Sequence, residues 1–322
     1  MKKVSNQFSV VKRSADPDSL EMLISRRMPK MNTLLLQNKN VLQKIPPLSS
    51  LASKFLLSSN PLQISELQFD TQYSVSYALL SEKKSRHFRL IMKKLESYLG
   101  TGPIGPNKYW EYPWVLANLR SKKGLSILVA GCGKSPLQFL LSHVGCRVHG
   151  IDFWEDVEWH GIDRKLAKRF GCQIEYRKES LESISYEDNT FDRVCCVSVI
   201  EHCREQFVKN EKMTPQTEKD RKLQRRMMNE MIRVLKPGGL LVVTVDFNIP
   251  RDNCDLDSNV DIANLISIDG AEIYGEKCND PFPGEKGFNF HQLIRNSDID
   301  IVNYGDTLQT SIGFTLRKKE EL

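Results

Sequence analysis

Four apolar residues, Ile127-Leu128-Val129-Ala130, run straight into Gly131-Cys132-Gly133-Lys134-Ser135-Pro136, and a second short run ends on Asp152, 21 positions after Gly131. A strand that stops in a glycine-rich turn, a helical pattern, and a second strand closing on a carboxylate together predict a doubly wound α/β sheet. Such a sheet holds a nucleoside-bearing ligand at its strand ends. Glycines let the backbone come close to the ligand, and one carboxylate can accept hydrogen bonds from both ribose hydroxyls. By itself the turn also fits a nicotinamide or flavin enzyme.

The remaining pattern extends this frame in both directions. Before the turn, apolar residues recur at helical spacing, interrupted at Pro29, Pro46-Pro47 and Asn60-Pro61. The best helix is expected over about Val75 to Leu99, with Phe88, Ile91, Met92, Leu95, Tyr98 and Leu99 on one stripe. Residues 1–100 therefore read as a helical N-terminal extension, residues 101–108 as a Gly/Pro-rich linker, and residues 109–322 as the α/β domain. Inside that domain a short aromatic helix precedes the first strand. A helix is expected over Leu137 to His143 and another from Val157 to Phe170. Further strands are expected at Gln173 to Tyr176, Arg193 to Val199 and Leu240 to Val245. A long amphipathic helix spans Pro215 to Leu235, with Thr214 as its N-cap. Ile299 to Tyr304 and Thr310 to Leu316 close the chain as two strands about the turn signal Gly305-Asp306.

Composition bounds the class. A chain of 322 residues, 40% hydrophobic and 27% charged, can bury a large core. It has no apolar run near the roughly 20 residues of a membrane span. Met1 to Asp18 is polar and lacks a signal-peptide core, so an intracellular, cytoplasmic protein is expected. The eight cysteines show neither a CxxC pair nor a Cys/His spacing typical of zinc; they read as reduced structural thiols, and no metal is expected. Net charge is +6, but residues 1–124 carry +12 and the rest −6. Either the basic part meets an anionic partner (nucleic acid, lipid surface or acidic carrier), or it is a solvated Lys-rich surface.

Two later segments narrow the cofactor. Asp188-Asn189-Thr190-Phe191-Asp192 enters the fourth strand of the domain, which ends in Val199-Ile200-Glu201-His202. Ile232-Arg233-Val234-Leu235-Lys236-Pro237-Gly238-Gly239 leads into the fifth. With the GCG turn and Asp152, these segments resemble the class I S-adenosylmethionine-dependent methyltransferases, specifically the type-11 methyltransferase domain, over about residues 109–318. The resemblance implies a Rossmann-like, seven-stranded, mostly parallel sheet whose final strand is inserted antiparallel, and S-adenosyl-L-methionine as cofactor. It implies that Gly131, Cys132 and Gly133 approach the methionine part and ribose, and that Asp152 takes the ribose hydroxyls. Phe153 or Trp154 would pack on the adenine, which Ser180 and Leu181 would border, and Val197 and Ser198 would line the transfer face. The chain departs from the pattern at Val129, where the family often has an acid, at Ser135 in place of a third glycine, and near Ser180, with Glu179 beside it.

Methyl transfer from a sulfonium needs alignment in a dry pocket, and a base only when the acceptor must lose a proton. His202, just past the fourth strand, is the best candidate base. Glu201 either orients it, binds a cation, or tethers the following helix. Asp246 and His291 are weaker candidates. Trp110 and Trp114, in Trp110-Glu111-Tyr112-Pro113-Trp114, either form a lid over the substrate or staple the extension to the sheet. Their segment is similar to aromatic segments in methyltransferase-like proteins of bacterial surface-polysaccharide gene clusters. The motifs of amino-group DNA, cytosine-ring and arginine methyltransferases are missing. The expected reaction is O- or N-methylation of a small molecule or of a glycan or lipid intermediate, without a specific nucleic acid. Two alternatives remain: an inactive methyltransferase-fold scaffold, and a nicotinamide-dependent reductase, which a parallel last strand would favour.

Overall fold

The computed structural model describes residues 73–98, 104–153, 164–203, 216–249, 260–277, 295–304 and 307–320. Five parallel strands form the centre of the sheet: β2 (Ser126–Ala130), β3 (Arg147–Asp152), β4 (Ile174–Lys178), β5 (Phe191–Val197) and β6 (Leu235–Ile249). The last strand, β10 (Thr307–Lys318), lies antiparallel against β6 from Leu308 to Arg317. The antiparallel insertion expected of a methyltransferase is thus present, and the feature that would favour a reductase is not. The expected hairpin is also formed, with β9 (Val302–Tyr304) against the start of β10; its turn lies outside the described residues.

Three strands exceed the seven expected. They are β1 (Tyr73–Tyr77), β7 (Ala271–Ile273) and β8 (Glu276–Lys277), giving ten strands in the order β4-β3-β2-β5-β6-β10-β1-β8, with β7 and β9 also on β10. One edge of β10 serves β6 throughout, and the other serves β9, β1 and β7 in succession. The expected helix from Val75 is corrected here. Tyr73-Ser74-Val75-Ser76-Tyr77 is rich in residues that suit a pleated surface, and it fills the open edge of β10. Helix begins only at α1 (Leu80–Lys84), breaks at Ser85, and resumes as α2 (Arg86–Glu96). Ser85 is extended (ψ 151°), and its side chain accepts a hydrogen bond from the Phe88 amide, capping α2. The stripe on α2 is buried as expected at Phe88, Ile91, Met92 and Leu95. Residues 73–98 thus share one compact unit with the α/β domain.

Helices cover both faces. On one lie α2, α3 (Lys108–Leu119), α4 (Leu137–His143) and α5 (Arg164–Arg169); on the other lie α6 (Glu218–Arg233) and α7 (Ile262–Ile266). Cys195 faces the first layer and Cys196 the second, because neighbouring strand residues point to opposite sides. The six described cysteines are unpaired. Helix α6 starts later than expected. Thr217, not Thr214, is its N-cap, and a reciprocal box with Asp220 satisfies two otherwise orphaned amides. Pro237-Gly238-Gly239 is a bulge inside β6, between Leu235 opposite Phe191 and Leu240 opposite Arg193. Asp192 secures that bulge, accepting from the Ser126 amide and from Lys236 Nζ, each at 2.8 Å. Among the described residues no helix is long and apolar enough to cross a membrane.

Candidate active site

The C-terminal ends of β2, β3, β5 and β6 converge, and the first turns of α3 lie across them. On the β2–β3 side the wall is largely backbone. Gly131 has φ +66°, and a Cβ there would sit 2.4 Å from a methyl of Val199, so only glycine lets the loop pass the β5 end. Asp152 stands on the rim, and its carboxylate accepts from the Gly133 amide at 2.7 Å, fixing loop to strand. The Cys132 amide donates to Ile151 O at 3.0 Å, while its thiol is buried and held protonated by desolvation and by Asp152. Ser135, in the third glycine's place, accepts from the Leu137 amide at the start of α4. Phe153 is 51% exposed, a ring presented beside Asp152. Trp154 and His291 lie outside the described residues. Beyond β4, the Ser180 hydroxyl accepts from the Glu182 amide in a turn, and Leu181 is buried in the core.

The β5–β6 side is built from charge. Ser198, directly after β5, has φ +48°, a conformation a non-glycine residue rarely holds, and its hydroxyl donates to Glu111 Oε1 at 2.7 Å. Glu111 is fully buried, and its other oxygen pairs with Lys108 Nζ at 2.5 Å. Asn107 Nδ2 donates to Asp246 Oδ1 at 2.7 Å, and the Ser311 hydroxyl reaches the same oxygen at 3.3 Å. Burial works against the Lys108 charge, but Glu111 and Asp246 outweigh it and raise its pKa. Desolvation, followed by Glu111, pushes the Asp246 carboxyl up to about 6. Desolvation and then Asp246 raise Glu201 well above the usual carboxylate range. Asn107, Lys108 and Glu111 border the candidate site, and the sequence motifs did not single them out. Two of them fall in the stretch expected to be linker, and the available signal was a Lys/Glu pair at helical i,i+3 spacing among aromatics.

Glu201 and His202 lie in a 3-10 turn, Ile200–His202, directly after β5. Glu201 Oε1 accepts from the Asp246 amide at 2.8 Å, so it tethers the turn to β6 and not to a helix. Its distance to His202 Nε2 is 4.0 Å, too long for the hydrogen bond by which it would orient that ring, one of the roles open to it from sequence. The His202 side chain is 54% exposed at the mouth. Val197 and Ser198 are half-buried beside it. Trp110 and Trp114 do not form a lid. Both are buried, their rings stacked at 5.3 Å; Trp110 Nε1 donates to Glu82 at 2.6 Å. Trp114 lies so flat on β10 that a Cβ at Gly313 would come within 2.6 Å of it. They staple α3 to α1 and the sheet.

The family model described as "Methyltransferase domain" matches residues 128–243, from within β2 to within β6. A ubiquinone biosynthesis O-methyltransferase of Methylocella silvestris is 39% identical over 84 residues, 26% of this chain and 32% of that protein. Its counterpart in Rhizobium etli is 27% identical over 124 residues, 38% of this chain and 42% of that protein. The chain spans about a third to two-fifths of the length of these curated relatives. Among solved structures, a SAM-dependent methyltransferase from Aquifex aeolicus aligns with TM-score 0.37 at 17% identity, over 70% of this chain and 97% of that one. The match places a methyltransferase domain over residues 128–243 of this chain, and the parallel strands, the glycine loop and the antiparallel last strand fit the sheet of the class I S-adenosylmethionine-dependent methyltransferases.

Proposed function

We propose that the chain transfers the methyl group of S-adenosylmethionine to a hydroxyl or amino group of a small molecule or of a glycan or lipid intermediate. The observation that carries this reading is the Asp152 carboxylate, hydrogen-bonded to the Gly133 amide at the rim of a loop where Gly131 has no room for a side chain. The residues fit the cofactor. Asp152 would hold the ribose hydroxyls, charge-assisted bonds of roughly 1.5–3 kcal/mol each. Gly131 to Gly133 would approach the sugar and methionine part, Phe153 would cover the adenine, and Val197 and Ser198 would border the transfer face. The cofactor supplies an activated methyl group on a sulfonium. This chain's part is to align the acceptor, exclude water and take its proton. His202 is the group placed for the last task, exposed at the mouth beside the β5 end.

O-methylation is favoured over N-methylation, since an imidazole at the mouth matters most for an acceptor that must lose a hydroxyl proton, and the curated relatives are named O-methyltransferases. The reading places the chain in the cytoplasm, a reducing compartment where the six described cysteines would stay as thiols. An anionic partner for the basic N-terminal part belongs to the same reading and is tested by salt-dependent retention on anionic matrices. The transfer itself is tested by calorimetric titration with S-adenosylhomocysteine. Saturable binding that falls in Asp152→Asn is expected. No binding to a folded protein overturns the reading and leaves a scaffold on a methyltransferase fold.

A further inference from the structure

Three carboxylates, Glu111, Glu201 and Asp246, gather at the β5–β6 strand ends around the ammonium of Lys108. Lys108 is spent on Glu111 at 2.5 Å. Glu201 is completely shut off from solvent, and its Oε2 has no hydrogen-bond partner among the described residues. A buried carboxylate oxygen without such a partner is expensive unless a proton or a cation meets it. Glu201, His202 and Asp246 each bring one ligand atom, and these atoms all lie within 4.8 Å of one another. The backbone already locks the constellation, because the Asp246 amide is bound by Glu201 Oε1 and the Gln224 side chain holds Ile200 O at 3.0 Å.

We infer that Glu201, His202 and Asp246 form a binding site for one divalent transition-metal cation, Mn2+ or Zn2+. Two carboxylate oxygens and one imidazole nitrogen suit these ions, and three protein ligands leave a coordination position for water or substrate. Ligand atoms around such an ion stand about 3–3.5 Å apart. The 4.0 Å between His202 Nε2 and Glu201 Oε1 closes to that span with a small turn of the exposed imidazole. The grading of burial, from enclosed Glu201 to exposed His202, sets the open position at the mouth. The cation neutralises the charge that Lys108 leaves over. Its use in catalysis rests on the methyl-transfer reading: an acceptor hydroxyl bound at the open position is acidified and gives its proton to solvent. The oxygen then forms the bond to the methyl carbon as the sulfur–methyl bond breaks and the neutral thioether leaves. With the cation bound, His202 serves as a ligand and solvent takes the proton; without it, His202 takes the proton itself. The competing occupants of the cluster are a proton on the Glu201 carboxyl and an imidazolium at His202.

The test uses the full chain freed of metal by chelation. It is titrated with Mn2+ by electron paramagnetic resonance and with Zn2+ by calorimetry, each with and without saturating S-adenosylhomocysteine. One site per chain is expected, filling at micromolar metal, about tenfold or more weaker in His202→Ala and in Asp246→Asn. His202→Ala keeps the wild-type melting temperature and S-adenosylhomocysteine affinity, because its side chain is exposed; this separates a lost ligand from a lost fold. Absence of saturation below about 1 mM metal, or binding indifferent to both substitutions, overturns the inference. Nucleoside binding without metal binding sinks this site and leaves the transfer reading standing. Metal binding without nucleoside binding does the reverse.

Discussion

On one wall of the candidate site, Gly131 to Gly133 and Asp152 come from two adjacent strand ends and present chiefly backbone and a single carboxylate. On the other, Lys108, Glu111, Glu201 and Asp246 come from α3, the turn after β5 and β6, and present buried charge. The first wall is local: its key contact, Gly133 to Asp152, spans 19 positions. The second joins residues 87 positions apart at Glu111–Ser198 and 139 apart at Asn107–Asp246. A backbone cradle tolerates many side-chain changes but no added Cβ at Gly131. A buried charge cluster tolerates an isosteric neutral change and fails when α3 shifts.

Four experiments bear on this contrast. Trp114→Ala is expected to have the largest effect, a destabilisation of about 3–5 kcal/mol in denaturant unfolding, because it empties the contact that holds α3 on β10. If the charged wall stands without α3, the loss will be under about 1 kcal/mol. Next, Gly131→Ala places a Cβ against Val199 at positive φ, and a loss of about 3 kcal/mol is expected. The double variant with Val199→Ala should recover part of it; no recovery would mean that φ alone, and not the close approach, selects glycine. Third, Asp152→Asn keeps an oxygen for the Gly133 amide but loses the charge. S-adenosylhomocysteine affinity should drop about tenfold or more by calorimetry while stability changes by less than about 1 kcal/mol.

The smallest effect is a pH dependence from the charged wall. The folded-state pKa of Asp246 is raised to about 6, so the unfolded chain ionises this group first as pH rises from about 4. Folding therefore loses stability through that window, and the loss is complete above pH 6. Asp246→Asn removes the dependence and should gain about 1 kcal/mol on the wild type between pH 4 and pH 7, below the ceiling of about 3 set by the shift. Equal slopes for the two proteins in denaturant midpoints across that range would show that Asp246 ionises freely in the folded state.

The fold was legible wherever a local pattern was the cause. Helix α4 has the bounds expected from periodicity, and the strands into Gly131 and Asp152 fall where the apolar runs stop. Where two local patterns competed, the tertiary environment chose. Val75 and Tyr77 stand at strand spacing at the head of a helical run, and the unfilled edge of β10 made them strand. Thr214 and Thr217 are both acceptable caps, and Asp220 decided for Thr217. The Trp110/Trp114 pair carried no mark in sequence to tell a lid from a staple, because both uses require exposed aromatics in the unfolded chain.

What the amino-acid order fixed by itself is the backbone cradle: alternation and apolar runs set the parallel strands, glycine set the turn, and an acid closed the second strand. These depend on neighbours a few residues apart, so local sterics encode them. The sign and partner of each buried charge, and the meeting of Glu201, His202 and Asp246, were decided only by the tertiary structure. Their energies depend on desolvation and on distances between residues far apart in the chain, and those quantities exist only once the sheet has formed and α3 has closed over it.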